Sequence, residues 1–480
     1  MVRQLILVMS LLYVAIITVF AQAPDILWTK TFGGDDYGHG NSVLQTEDDG
    51  FLIAGLKDFI PGQLNTGDVW LIRTDSNGDT LWTKTYGDTS GWDEGYSIQQ
   101  TSDGGFIIAG KTSSYGAGLS DAYLIRVDDN GDTLWTKTYG GESDEYATCV
   151  QQTSDGGFIL VGHTYSYGFG SSDVWLIRTD ENGDTLWTKT FGTPGVDFGN
   201  SVQQTSDGGF IATGRIMSFI SGAPDLYLIR INSNGDTLWT KSYNGPYFSY
   251  SLDEGKDVQQ MPDGGFFILG RTDGPVNTTN SSLWLIRTDS NGDTLWTKTY
   301  EYMAGNSMQL TTDGGFIITG DTSLIRINDE ADTLWTKALG ISDDFAYSVQ
   351  QTSDGGFIVA GRTNNSSSPP DVWLVRVGSD GTTSAENNST LPAQYELFQN
   401  YPNPFNPITN ISWHSPLSSW QTLKIYDVLG NIVATLVEDY RPAGLNEVEF
   451  DASKLPSGIY FYRLNIDNKQ SIVKKMTLIK

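Results

Sequence analysis

Four segments of this chain carry Asp-x-Asn-x-Asp, beginning at Asp75, Asp128, Asp180 and Asp289. Oxygen atoms at that spacing open a calcium-binding loop. Such a loop needs Gly at its sixth position and a bidentate Glu at its twelfth, and here those are Thr80 and Tyr86. The run therefore reads as a tight turn, and no metal or other cofactor is expected. A second acidic set, Asp93, Asp144, Asp197, Asp253 and Asp344, precedes a recurring strand. Carboxylates there either ring an ion or ligand or hydrogen-bond the nearby backbone, and the second is the commoner use. The three His (39, 163 and 414) stand in unrelated contexts, and no nucleophile motif or phosphate loop accompanies them. The single cysteine, Cys149, has no partner for a disulfide within the chain and reads as a small buried thiol.

Aromatic and small polar residues gather in SSYGAGLS (113–120), YSYGFGSS (165–172), WDEGY (92–96) and NGPYFSYSLDEG (244–255). Tyr, Ser and Gly make adaptable contacts to sugars or proteins. The candidate ligand-binding residues are Trp92, Asp93, Tyr115, Asp144, Tyr165, Tyr167, Tyr247, Phe248, Tyr250 and Asp253.

The elements that must position them repeat. LWTK occurs seven times, with Trp at 28, 82, 135, 187, 239, 296 and 335. A block like SIQQTSDGGFIIAG (97–110) and one like DVWLIR (68–73) also recur seven times each, the latter reduced to SLIR at 323–326. SIQQT and FIIAG flank a DGG turn. DVWLIRTD and TLWTKTY flank Asn77-Gly78, a hairpin signal. One repeat gives four antiparallel strands, and such units repeated radially are propeller blades. The repeats open on LWTKTF without a preceding SIQQT block and close on DVWLVR (371–376) without a following LWTK. The seventh blade thus lacks its outer strand and the N-terminus has one to spare. Pairing them leaves no free edge at the join.

With Asn77-Gly78 as a two-residue turn, Arg73 faces Trp82. The same arithmetic pairs Arg126 with Trp135, Arg178 with Trp187, Arg230 with Trp239, Arg287 with Trp296, Arg326 with Trp335 and, across the join, Arg376 with Trp28. A guanidinium over each indole is expected. Trp70, Tyr123, Trp175, Tyr227, Trp284 and Trp373 share one slot and are expected to pack between blades. The stretch Gly78-Asp79-Thr80-Leu81-Trp82 resembles the tryptophan-docking motif of quinoprotein propellers, although Asp75 lies one position closer than in that family; the likeness supports the fold and not a quinone cofactor. Strand order puts the DGG and NGD turns on one face and the loops after LWTKTY and FIIAG on the other. The first set is nearly constant and the second varies, which favours the second face for binding. The sixth repeat is cut down there, with EYMAGNS (301–307) and GDTS (320–323), and a notch walled by Tyr247, Phe248, Tyr250 and Asp253 is expected beside it.

Beyond a polar linker the composition changes. ELFQNYPNPFNPITNISW (396–413), LKIYDVLGNIVATLV (423–437) and AGLNEVEFDASKLPSGIYFYRL (443–464) alternate as strands, with turns at Leu429-Gly430-Asn431 and Pro456-Ser457-Gly458, and predict a small β-sandwich. Tyr401-Pro402-Asn403-Pro404-Phe405, IYDVLG with Gly430, SGIYFYRL with Gly458 and Tyr460, and the Lys-rich end at Lys474, Lys475 and Lys480 together resemble the type A C-terminal sorting domain of the type IX secretion system. The resemblance implies an immunoglobulin-like fold, passage to the outer surface or exterior of a Gram-negative bacterium, and the type IX machinery as partner. An ordinary immunoglobulin-like module is the alternative.

Arg3, the apolar run Leu5–Phe20 and Ala21-Gln22-Ala23-Pro24 read as an export signal cleaved between Ala21 and Gln22. The expected layout is a signal peptide at 1–21, a seven-bladed propeller at 22–378, a linker at 379–393 and the sorting domain at 394–480, all-β and with no transmembrane segment in the mature chain. Basic and acidic residues balance in 394–480, so the net charge of −28 belongs to the rest. That field disfavours nucleic acid and anionic lipid. Three readings of function remain: a binding or adhesion module for polysaccharide or surface protein, a structural scaffold, or a polymer-degrading enzyme.

Overall fold

The computed structural model describes residues 23–34, 37–58, 67–88, 91–217, 222–246, 252–273, 281–301, 303–340, 344–363, 369–380, 396–400, 402–415, 419–441, 444–466 and 470–479. Ala21, Gln22, Tyr247, Phe248, Tyr250 and Tyr401 lie outside the described residues, and with them the signal cleavage point and most of the expected notch.

β2 (Tyr37–Gln45), β3 (Phe51–Asp58), β4 (Gly67–Thr74) and β5 (Thr80–Tyr86) form one antiparallel sheet in chain order. Five further four-stranded sheets repeat that order. The seventh contains Phe345–Gln351, Phe357–Arg362 and Val372–Val377, and takes β1 (Ile26–Phe32) as its outermost strand. Trp28 faces Arg376 across the join, as the strand-exchange reading requires. The third strand of each blade is packed on both faces by neighbouring blades, so runs such as DVWLIRT (173–179) are buried at every position and read as continuous apolar segments. The outer LWTK strands alternate between exposed and half-buried.

Seven hydrophobic clusters hold the ring, each drawn from two adjacent blades. Ile107 and Leu124 of the second blade meet Phe158 and Trp175 of the third. The ring closes where Ile358 and Leu374 pack against Val43, Phe51 and Trp70. The shared aromatic slot is buried in these clusters, as expected.

The NGD hairpin is not a two-residue turn. Gly78 N donates to Asp75 O at 3.1 Å with Gly78 in the left-handed region (φ 77°), and the Asp75 carboxylate accepts from the backbone N of Asn77 and Asp79 at 2.9 and 2.8 Å. This is a type I turn closed by a left-handed Gly, with a bulge after Arg73 that restores the expected register. Arg73 therefore still opposes Trp82, and the other six pairs also hold.

The guanidinium-over-indole contact does not form. Arg178 donates instead to Phe158 O at 3.1 Å and to both Asp155 oxygens at 2.5 and 2.6 Å. A buried guanidinium carries donors on every edge, and carbonyls plus a carboxylate satisfy them where a ring face cannot. The Asp belongs to the DGG turn, so the DGG and LIR blocks recognise each other within a blade.

The indoles reach the next blade. A Cβ at Gly131 would come within 2.6 Å of the Trp82 ring, Tyr86 OH donates to Gly131 O at 2.6 Å, and Lys84 bridges to Asp132. Trp135, Tyr139 and Lys137 repeat this on Gly183 and Asp184. The LWTKTY and NGD blocks recur together because each outer strand docks on its neighbour's turn.

At the C-terminus, one sheet pairs Glu396–Leu397, Ile408–Ser415 and Gly444–Asp451. The other pairs Ser419–Tyr426, Ile432–Arg441, Gly458–Ile466 and Gln470–Leu478. Trp413, Leu423, Ile425, Tyr460, Tyr462 and Leu464 fill the core between them. Phe405 N donates to Thr477 O at 3.0 Å, Thr477 N to Asn403 Oδ1 at 2.9 Å and Ile479 N to Phe405 O at 3.0 Å. The PNPF residues thus pin the final strand, which carries Lys474 and Lys475. Gly430 is left-handed (φ 85°) in a turn capped by Asp427, and Tyr460 OH donates to Pro456 O at 2.8 Å beside Gly458.

Candidate functional site

The seven innermost strands line the tunnel, and their two halves differ. The lower half is nearly constant. Gln99 Oε1 accepts from the backbone N of Gln152, Gln151 from Gln204, Gln203 from Gln260 and Gln350 from Gln45. The second Gln accepts from the preceding blade's turn at five blades, as Gln152 does from Ser102 N and Gln204 from Ser154 N. Where the turn has Pro262, which has no N–H, the partner position holds Leu310, which has no acceptor. The loss of both together marks this half as structural. Leu44 replaces one Gln, and an opening of about 300 Å³ lies there among Leu44, Gln45, Gln99 and Met308.

The upper half, on the variable face, changes from blade to blade. His39, Glu94, Tyr146, Phe198, Glu254, Ala304 and Phe345 occupy one row. The row below holds Asn41, Tyr96, Thr148, Asn200, Lys256, Asn306 and Tyr347. Glu94 Oε1 lies 2.8 Å from His39 Nε2 and accepts from Asn41 Nδ2 at 3.1 Å. Its Oε2 accepts from Trp92 Nε1 at 3.2 Å and Tyr96 OH at 3.3 Å. Burial works to raise the pKa of Glu94, but the His39 hydrogen bond and charge, with Lys111 and Trp92, outweigh it and hold it at about 2. Glu254 has a similar setting, with Asn200 Nδ2 and Lys256 Nζ each at 2.8 Å, and is also lowered against its burial.

A ladder of rings crosses the second to fourth blades. Lys111 Nζ stands 5.1 Å over Tyr146; Tyr146 stacks on His163 at 4.5 Å; His163 meets Phe198 at 4.1 Å; and Arg215 lies 4.2 Å over Phe198. Burial, then the Arg215 and Lys111 charges, push the His163 pKa down to about 3, so the ring is neutral at physiological pH. Below it, burial pushes the Cys149 thiol up to about 11, which keeps it protonated.

Trp92 lies at this mouth, and Tyr165, 41% exposed, sits beside His163 with its ring centroid at 5.9 Å. Tyr115 and Tyr167 present exposed rings, while their hydroxyls donate to Gly87 O and Gly140 O at 2.8 and 2.7 Å. The Asp93 and Asp253 carboxylates are fully buried and turned to loop groups: Asp93 accepts from Asp88 N at 3.3 Å and Ser114 Oγ at 2.5 Å, Asp253 from Gly245 N and Thr272 Oγ1 at 2.6 Å each. In the third blade that slot belongs to Glu145, which accepts from Gly141 N at 2.7 Å, and not to Asp144. The acidic ring therefore anchors backbone.

The Asp93 and Glu145 slots leave other carboxylates crowded. Burial first, then the charges of Asp93 and Asp88, raise Asp68 to about 6, and burial, then Glu145, raises Asp121 to about 6. Asp257, on the tunnel wall but deep within it, is raised to about 6 by burial. A carboxyl raised in the fold is penalised when ionised, so this cost is full above about pH 6 and is relieved as pH falls toward the unfolded value. Glu94 has the opposite sign, and its contribution is lost as pH falls through about 2. The melting temperature is expected to rise between pH 7.5 and pH 5 and to fall below pH 3. Scanning calorimetry checks this, and a melting point that climbs steadily to pH 7.5 would contradict it.

The loops drew attention to Trp92 and Tyr165 but not to His39, Glu94, Lys111, Tyr146, His163, Phe198 or Arg215. Their signal was present: alignment of the seven SIQQT blocks shows the residues just upstream varying from copy to copy while the block itself is nearly constant.

Residues 399–480 match the family of secretion system C-terminal sorting domains. The chain is thus a β-propeller carrying a type IX sorting domain, handled by that machinery and destined for the outer surface or exterior of the cell. Over 183 residues it is 30% identical to the regulatory protein FlaEY of Caulobacter vibrioides, which covers 32% of this chain but only 19% of that protein. Its structure is similar to that of PorZ, a surface component of the type IX secretion system of Porphyromonas gingivalis. That likeness has 12% identity and a TM-score of 0.42, and covers 89% of this chain and 58% of PorZ. A protein of unknown function from Dyadobacter fermentans is similar at 11% identity and a TM-score of 0.46, over 74% of this chain and 99% of that one.

Proposed function

We propose that the exported propeller is a binding module for extracellular polysaccharide, with the upper tunnel mouth and its surrounding loops as the ligand surface. The observation that carries this is the pair of rows whose residues vary from blade to blade on otherwise repeating strands. Aromatic rings (Trp92, Tyr96, Tyr146, Tyr347) stand beside amides (Asn41, Asn200, Asn306) and two ionised carboxylates. Sugars offer apolar ring faces to the first and hydroxyls to the others. Glycosidic cleavage needs a carboxyl held protonated near neutral pH beside an ionised one. Glu94 and Glu254 are both lowered, which favours holding over cutting.

A glycan array probed with the purified protein tests the reading. Saturable binding that Trp92→Ala and Tyr146→Ala abolish is expected, with Leu81→Ala on the outer strand leaving it intact. A blank array would overturn the polysaccharide reading and favour a protein ligand or a scaffold.

A further inference from the structure

The residue after the Gly of the FIIAG block is basic or His in five of seven blades: Lys111, His163, Arg215, Arg271 and Arg362, with Leu56 in the first and Asp321 in the sixth. This column lies at the tunnel mouth of a chain whose net charge is −28. Most of the other recurring cations have carboxylate partners, Lys189 and Lys337 being the LWTK lysines with no ion pair to a described residue. Every LIR arginine is bridged to its DGG aspartate, and the LWTK lysines 30, 84, 137, 241 and 298 reach the next blade's turn.

Lys111 and Arg215 break that rule. Neither side chain makes a hydrogen bond or ion pair to a described residue. Lys111 Nζ rests over the Tyr146 and Trp92 rings at 5.1 and 5.8 Å, and Glu94, whose ionised form its charge favours, already has its four donors. Arg215 lies over Phe198, and its Nε is buried without a partner. His163 between them is neutral, and its Nδ1 is likewise buried and unpaired. Their charges help hold Glu94 and Glu254 ionised, but their donors are unused, and a donor left without a hydrogen bond on a partly desolvated cation costs free energy. Anionic groups at the two ends of the ladder would use those donors, and ring faces for a sugar stand beside it at Trp92 and the exposed Tyr165.

We propose that the tunnel mouth selects acidic saccharides, whose carboxylate or sulfate groups are held by Lys111 and Arg215 while the sugar rings pack against Trp92 and Tyr165. This rests on the polysaccharide reading and names its ligand class. A guanidinium takes either oxyanion in a bidentate pair, so uronate and sulfate esters share the chemistry.

The test is calorimetric titration of the full-length secreted protein with three oligosaccharides of equal length: a galacturonate, a sulfated glucan and a neutral glucan. The acidic ligands are expected to bind at least about tenfold tighter than the neutral one, by the strength of one charge-assisted hydrogen bond. That margin should shrink as salt rises and be lost in Arg215→Gln and in Lys111→Gln. Arg215→Lys, which keeps the charge and guards against a folding defect, should retain most of it. The tighter of the two acidic ligands identifies the anionic group. Equal affinity for all three would overturn the acidic preference and leave the polysaccharide reading standing, whereas no binding to any would sink both. An acidic preference undiminished in both glutamine variants would show that the site lies elsewhere.

Discussion

A chain lacking residues 399–480 is expected to fold its propeller and yet fail to appear outside the cell. The two halves of that expectation rest on separate observations. The seven clusters that hold the ring use residues 23 to 377, whereas the sandwich core draws only on residues 397 to 478. Among the described residues no cluster is shared, so the truncation removes no propeller packing. The missing segment is the sorting domain, and without it the outer-membrane machinery has nothing to recognise. Cell fractionation with immunoblotting should place the truncated protein in the envelope at normal abundance, with the extracellular fraction at background. Circular dichroism of the purified fragment should retain the β-sheet spectrum. Secretion at the full-length level would show that the match at 399–480 does not act as the export signal here.

The second large effect is on stability. A protein without β1 is expected to yield no folded monomer. β1 supplies the ladder partner of Val372–Val377, whose backbone is otherwise a buried, unpaired edge. Each buried group left without a partner costs about 1–3 kcal/mol, and a bare edge invites pairing with another chain. The same strand carries Trp28, which docks on Gly78, and Lys30, which bridges to Asp79 at 2.7 Å. The ring therefore loses its closing strand and one inter-blade joint together. Size-exclusion chromatography should find aggregate in place of monomer. A permutant in which Ile26–Phe32 follow Val377 through an Asp-Ser-Asn-Gly-Asp turn should recover the monomer and a melting point within a few degrees of the parent. Failure of the permutant to recover would mean that β1 matters for a reason other than ring closure.

The blades were legible because each is built from hairpins, where residues that pair lie close in sequence. Arg178 opposes Trp187 whichever turn type joins them, since the bulge compensates for the longer turn. Alternation likewise placed Leu423, Ile425, Tyr460, Tyr462 and Leu464 in the sandwich core. The C-terminal motif was readable as a pattern, while its physical role was not: Phe405 hydrogen-bonds Thr477 across the whole length of the domain.

Composition, repeat and strand order by themselves determined the seven-bladed ring, its closure by the first strand, the constant and variable faces and the exported, tagged character of the protein. These depend on local periodicity and on counting strands. Only the tertiary structure decided which partner each side chain takes. Arg178 could be matched with the indole opposite it, but Asp155 meets its donors better and comes from the far end of the blade. Lys30 and Asp79 belong to different blades, and no hairpin arithmetic joins them. The tunnel mouth is the extreme case. His39, Glu94, His163, Arg215 and Tyr347 sit on separate blades, and His39 comes within 6.3 Å of Tyr347 only because the ring closes. A site assembled from one residue per blade leaves no linear motif, since the spacing that matters is across the tunnel and not along the chain.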